Sequence, residues 1–388
     1  MYSVDGQNFE AGEIGFQSVL ERAYKNHVRP MCLCSLAPIP IYITSLGGTF
    51  VLKRMPCTGS RHAGGCPHYE PPEELPWSAE IRTAISEDPD TGVTQLRVGF
   101  AMSKGAKCMV VPSSGQDRGG VGGGRARLNL RGLLHFLWME AELTKWRPGF
   151  DGKRSWAVVR SHLLAAASNK VLKGMALTDA LFVPEAFTIA NAQAIRARRA
   201  QRFAQGLRRN GRAESKMILI GELKEVFATR FHFNVMIKHV PEVPFLLNAN
   251  LHRKMMRHFE NELALWSGSA ETHLIIAATF ALADWGRVSI DELCLMPTSA
   301  QWLPIDDCFE KQLIDQLVCE RRSFDKALGF NSKLPSRSIS AVLLDVQREP
   351  VPLALDRTCG GEPDSAHDPM VGTWRWQTYM SDLPVFPS

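Results

Sequence analysis

With 388 residues, 45% of them hydrophobic, the chain is long enough for two or three domains with ordinary apolar cores. The formal net charge of +5 is a mild basic excess, too small by itself to identify an anionic partner. No apolar run reaches the roughly 18 residues needed to cross a membrane, and nine cysteines without a secretory signal point to a reducing cytoplasm.

Residues 1–111 read as a small β module organised around a metal-binding hairpin. Phe16 to Tyr24 is a short helix leading into it. Cys32 and Cys34 then form a C-x-C pair, His62 and Cys66 an H-x-x-x-C pair, and His68 follows two residues later. Between the pairs, Ile39 to Ser45 and Thr49 to Met55 read as two strands joined across Gly47-Gly48, a strong hairpin signal. A hairpin brings its ends together, so the two pairs meet at its open base, as tetrahedral zinc requires. The alternative is a set of unrelated reduced thiols. Gly, Pro and Thr crowd the second pair and place it on a loop, whereas inert cysteines prefer apolar runs. A disulfide between Cys32 and Cys34 would be badly strained. The residues alone leave the fourth ligand open: Cys57 and His68 compete with His62, and Cys32, Cys34, Cys66 and His68 match the C-x-C…C-x-H spacing of SWIM-type zinc fingers with a long insert.

Glu70 to Pro76 is an extended linker, and Thr94 to Val111 alternates as one or two strands. Residues 112–127 are Gly- and Ser-rich. The run Gly119 to Gly124 invites a phosphate-loop reading, but it lacks the Gly-Lys-Ser/Thr ending and the strand–loop–helix context, so a linker is expected. Residues 128–212 turn helical. Leu130, Leu133, Leu134, Leu137 and Trp138 share one face; Ser155 to Asn169 forms a second helix; a third short element carries Leu177, Leu181 and Phe182. Three short helices suit either a winged-helix or helix-turn-helix unit or a plain helical bundle. The unit ends in a basic helix, Asn191 to Arg212, with Arg196, Arg198, Arg199, Arg202, Arg208, Arg209 and Arg212 and no carboxylate between Glu185 and Glu214. Solvated faces usually mix signs. The arginines therefore point to phosphates of a nucleic acid, DNA in the first instance, or else to acids elsewhere in the fold.

Residues 213–357 read as an α+β domain. Met217 to Ile220 and Asn234 to His239 are strand-like, Leu251 to Trp266 is an amphipathic helix, and His273 to Leu282 with Val288 to Pro297 forms a hairpin across Asp284 to Arg287. The helix Phe309 to Phe324, followed by strands Ile339 to Val346 and Val351 to Leu355, resembles the start of a restriction-endonuclease-like core. Its candidate acids are Asp345 and Asp356, but no lysine stands two residues beyond Asp356, so the metal-nuclease motif is incomplete. Glu222-Leu-Lys224 is an E-x-K elsewhere, better explained by alternating charge on a strand. Residues 358–388 turn Gly-, Pro- and Asp-rich and read as a disordered tail.

Several segments together carry a resemblance: Cys32-Leu-Cys34, Val51 to Pro56 with His62-x-x-x-Cys66-Pro, Gly132 to Trp138, Gly152-Lys-Arg-Ser-Trp156, Leu219 to Glu225, Lys238-His-Val-Pro241 and Gln301-Trp-Leu-Pro304. Across roughly residues 25–350 the chain resembles a bacterial family designated domain of unknown function 1173. The resemblance implies a cytoplasmic protein of plasmids and integrative conjugative elements, and it brings no activity. In the family pattern the position of His68 is usually a small polar residue, which favours Cys32, Cys34, His62 and Cys66 as the zinc ligands. Two functional expectations follow: a non-enzymatic, zinc-stabilised nucleic-acid-binding accessory protein, or a metal-dependent nuclease, active or decayed.

Overall fold

The computed structural model describes residues 1–46, 49–55, 58–63, 66–69, 84–87, 93–104, 127–207, 209–210, 213–283, 287–328, 337–346, 349–357, 373–379 and 382–387. Over these residues the chain is a mixed α+β fold of several sheets. Residues 112–126 of the linker and the Glu70 to Pro76 segment lie outside them.

The N-terminal sheet has strands β1 (Tyr2–Val4), β2 (Gln7–Phe9), β3 (Met31–Cys32), β4 (Ile39–Leu46) and β5 (Thr49–Arg54), in the antiparallel order β2-β1-β3-β4-β5. The predicted hairpin is β4–β5, with Leu46 opposite Thr49 and Gly47-Gly48 between them. Ile39, Ile41 and Ile43 point to one side, as strand alternation requires. Helix α1 (Phe16–Lys25) covers them with Phe16, Leu20 and Ala23, spaced to share one helical face. The other face of β4 meets the helical layer. The Tyr42 hydroxyl donates to Glu140 at 3.3 Å, and Thr44 donates to the Ala165 carbonyl at 3.3 Å.

That layer contains α2 (Leu130–Glu140), α3 (Trp156–Ala167), α4 (Leu177–Ala180) and α5 (Ala192–Gly206). Asn129 caps α2 by accepting the Gly132 N–H at 2.7 Å. A helix apolar on every side must be enclosed, and α2 is: Leu133, Leu134, Phe136, Leu137 and Trp138 are all buried. α2 is enclosed and α4 is a single turn, so both serve to pack the layer. α5 is shorter than the predicted basic helix and stops at Gly206, where a Cβ would clash with the Met217 side chain.

Beyond it lie β6 (Met217–Ala228), β7 (Phe233–Ile237), β8 (Val240–Leu247), helices α6 (Ala249–His258) and α7 (Glu260–Gly268), then β9 (His273–Leu282) and β10 (Val288–Thr298). The first half of β6 pairs with β9 and the second half with β7. β8 pairs antiparallel with β7 and parallel with β10, and β9 with β10. The five strands thus close a ring, β6-β7-β8-β10-β9-β6. Gly221 sits where β6 changes partner; a Cβ there would be 2.8 Å from Ile237 Cγ2, so the close approach of β7 needs glycine. Leu223, Val235, Ile237, Phe245, Leu274, Ile276 and Phe280 fill the interior, and Met255 of α6 joins them. The outer faces of β6, β9 and β10 present Ile218, Ile220, Ile275, Ala277 and Met296 to the α2 cluster.

The C-terminal unit comprises α8 (Cys308–Cys319), β11 (Phe324–Lys326), β12 (Arg337–Leu343), β13 (Val351–Asp356) and β14 (Trp374–Gln377). Its sheet runs β14-β13-β12-β11, and Lys145–Trp146 from the helical region completes the edge. The expected disordered tail is corrected here. Residues 374–377 form a strand parallel to β13, because Trp376 is buried in the core of this sheet.

Candidate functional site

The hairpin delivers its four ligands to one point. Cys32 is the last residue of β3 and Cys34 lies just past it; a short 3₁₀ turn, Gly59–Arg61, brings in His62, and Cys66 follows. One ligand atom from each of Cys32, Cys34, His62 and Cys66 lies within 4.8 Å of all the others. Cys32 Sγ and Cys66 Sγ are 3.7 Å apart, while His62 Nδ1 is 3.3 Å from Cys34 Sγ and 3.8 Å from Cys66 Sγ. A tetrahedral zinc ion, with bonds of about 2.3 Å to sulfur and about 2.0 Å to nitrogen, sets sulfur–sulfur separations of roughly 3.8 Å and sulfur–nitrogen separations of roughly 3.5 Å. The cluster has the size and donor set of such a site, so these residues could hold a metal ion.

Protonation fits that description. Burial pushes the Cys32 thiol up to about 12 and also raises Cys66. Burial acts to raise Cys34 too, but the Ala63 N–H and the neighbouring thiols bring it below its ordinary value. Three crowded thiols cannot all ionise without a cation, and a bound divalent ion reverses that penalty. Burial, then Arg54 and Arg61, lower the His62 imidazole and keep it neutral, the form that binds metal. Of the competing candidates, His68 stands outside the cluster. Its ring lies 5.5 Å from that of His62 and edge-on to Tyr2, and its backbone N–H donates to Cys66 Sγ at 3.5 Å. Cys57 lies outside the described residues.

The arginine helix faces a second feature. Arg160, Arg198, Arg199 and Arg202 line a cavity of about 270 Å³ together with His239 and Val240, and Glu185 is its one carboxylate among the described lining residues. Glu185 pairs with Arg198 at 2.6 Å, and that hydrogen bond holds its carboxyl below the usual range. Arg196 and Arg199 share Glu242 of β8, at 2.5 and 3.2 Å. Arg202 donates to the Thr178 and Leu181 carbonyls. One terminal nitrogen of Arg199, Nη1, is buried without a partner among the described residues. The helix is therefore partly tied down within the chain and still presents more cation than acid to the cavity. Arg208 and Arg212 lie outside the described residues, and Arg209 begins the short strand Arg209–Asn210.

The acids proposed for a nuclease do not meet. Asp345 lies beyond the end of β12, where it accepts Arg322 at 3.0 Å and the Ser323 N–H at 2.7 Å. Asp356 lies at the far end of the same hairpin, opposite Arg337, while Leu343 pairs with Val351. The strand alone rises about 16 Å over the five residues from Val351 to Asp356, which puts the two acids at opposite ends of the hairpin, too far apart to share one metal ion. The E-x-K is likewise divided. Glu222 is buried and accepts Lys238 at 2.8 Å and His273 Nδ1 at 2.7 Å, whereas Lys224 is exposed beside Glu225.

Sequence reasoning missed one convergence. The His273 ring stacks on Trp302 at 3.9 Å, Trp302 lies against Trp156, and Trp156 stacks on His239 at 5.7 Å. Four of the segments that carried the family resemblance thus meet around Glu222. Their separate motifs were legible; their meeting depends on strand register, which no single motif encodes.

The sequence profile of a family described as Protein of unknown function (DUF1173) matches residues 2–378, and the chain belongs to that family. No curated protein and no solved structure matches it significantly. Among the described residues no helix is long and apolar enough to cross a membrane.

Proposed function

We propose that this chain is a nucleic-acid-associated accessory protein, stabilised by one structural zinc ion and acting by binding rather than by catalysis. The observation that carries the reading is the arginine-lined cavity: among the described residues, four guanidinium groups, one carboxylate and an unpartnered Arg199 nitrogen favour an anionic ligand of phosphate geometry. The zinc would be held by Cys32, Cys34, His62 and Cys66. Four protein ligands complete a tetrahedral shell and leave no position for water or substrate, the mark of a structural rather than a catalytic ion. The separation of Asp345 from Asp356 argues against the nuclease alternative.

The test is binding of labelled DNA and RNA over a range of salt. Contact with about three phosphates gives a slope of log K against log salt of roughly −3 on duplex and somewhat less on single strands. Replacing Arg198, Arg199 and Arg202 by Ala should weaken binding and flatten the slope while thermal unfolding shows a folded protein. Unchanged affinity and slope in a folded triple variant would refute the role of this cavity.

A further inference from the structure

The barrel strands close in the order first-second-third-fifth-fourth-first, with helices inserted between the third and the fourth. The third and fifth are parallel, and the first is long and divided between two partners. This is the strand order of the oligonucleotide- and oligosaccharide-binding barrel, which takes its ligand across the outer wall of strands two and three, beside the loop between strands one and two. In this molecule that wall is β7, β8 and the second half of β6. The opposite wall is closed by the α2 layer.

Register fixes which side chains face outward. Val226, Val235, Phe245 and Val288 lie side by side across four strands and belong to the interior cluster. The next row, Phe227, Asn234 and Leu246, therefore lies on the outer wall. Phe227 is 43% exposed. Asn234 Oδ1 is buried without a partner among the described residues. The loop from β6 to β7 carries Phe231, 81% exposed, with the Arg230 guanidinium 5.1 Å from its ring centroid. Phe233, at the end of that loop, stacks on His252 of α6 at 3.6 Å. From there α6 presents exposed Arg253, Lys254 and Arg257, with no carboxylate from Ala249 to His258. The opposite end of the wall, at His239 and Val240, lines the arginine cavity.

Exposed rings and a side-chain amide on the wall, with the exposed cations of α6 beside it, match the separate parts of an unpaired strand: bases with flat apolar faces, polar base edges, and phosphates. A neutral oligosaccharide would leave the cations of α6 without a role. A duplex would leave the rings without one, because stacked and paired bases do not offer their faces. We infer that the β7–β8 wall binds a single-stranded nucleic acid, with Phe227 and Phe231 as stacking platforms and Arg230, Arg253, Lys254 and Arg257 as phosphate contacts, the strand running toward the arginine cavity. The inference rests on the nucleic-acid reading above and adds the strandedness of the ligand and the surface that takes it.

The experiment is fluorescence anisotropy of the full chain with oligo-dT, oligo-rU and a duplex of the same length, at one salt concentration and then across a salt series. Three folded variants are compared with the parent: Phe227→Ala/Phe231→Ala, Arg253→Glu/Arg257→Glu, and the α5 triple alanine variant. Both single strands, or one of them, should bind more tightly than duplex, and the two arms report whether the sugar matters. Loss of both rings should weaken single-strand binding about 10- to 100-fold and leave duplex binding unchanged. Arg253→Glu/Arg257→Glu should weaken binding and flatten the salt slope. Tighter binding of duplex, or single-strand affinity unchanged in both wall variants while the α5 variant abolishes it, overturns the wall and leaves the proposed function standing. Absence of binding to any of the three probes at low salt overturns both.

Discussion

The N-terminal sheet and the barrel solve the same problem in different ways. Among the described residues the sheet's core holds nine buried residues and the barrel's holds eighteen, so the sheet has far less burial to set against chain entropy. The barrel also closes on itself and leaves no edge within the ring. The central strand of the sheet, β3, ends at the Cys/His cluster, which could hold a metal ion. A closed core can do without a staple, whereas a small module can be stabilised by a metal ion instead.

The largest test of this contrast is the metal. Structural zinc contributes on the order of 10 kcal/mol to modules that lack a sufficient core. Cys34→Ala should bring zinc content, read by elemental analysis, from about one per chain to near zero, with loss of protease resistance around residues 30–69 only. The barrel should instead break through its own core. Phe280→Ala removes a ring buried among Phe182, Phe203 and Phe245. It should cost about 3–5 kcal/mol in denaturant unfolding without releasing zinc.

Both regions pack against α2, and a third substitution probes that joint. Lys170 and Glu140 form a pair 3.1 Å apart, both side chains almost fully buried, with the Lys170 ammonium over the Tyr42 and Phe136 rings. Lys170→Ala leaves a buried carboxylate and should cost about 3–5 kcal/mol. Lys170→Ala/Glu140→Leu should recover part of that loss. No recovery would mean that the damage comes from packing rather than from the orphaned charge.

The smallest effect concerns pH. Burial alone would raise the Glu142 carboxyl, but Lys53 at 2.9 Å and Lys145 hold it down at about 2. Its folded value is thus depressed, so its contribution is fully present above the unfolded range near 4.5 and is lost as pH falls toward 2. Between those values Glu142→Gln should show a shallower decline in stability than the parent, measured by thermal unfolding. Parallel curves would show that the Lys53 pair is not coupled to folding.

Legibility in the sequence follows the range of the interactions. The Cys/His cluster was readable because a Gly-Gly turn and two Cys/His pairs are local signals, while the placement of His62 within it and His68 outside it depends on how the loop folds. The β9–β10 hairpin was readable for the same reason. β8 was not recognised, because Pro241 and Pro244 argue against a strand; both precede the residues that pair with β10, where a missing N–H is tolerated. Ring closure was not readable either, since it depends on β6 dividing itself between β7 and β9. The arginines of α5 were conspicuous in composition, but their partner Glu242 lies 43 to 46 residues away on β8. β14 was hidden behind a low-complexity segment that gives no hint of a following strand.

The most direct single measurement is hydrogen exchange on zinc-loaded protein against the same protein after chelation. The account predicts that amides from Met31 to Tyr69 lose protection while those of β6 to β10, Met217 to Thr298, keep theirs. Identical exchange in the two samples, or collapse of protection in the barrel along with the hairpin, would contradict it.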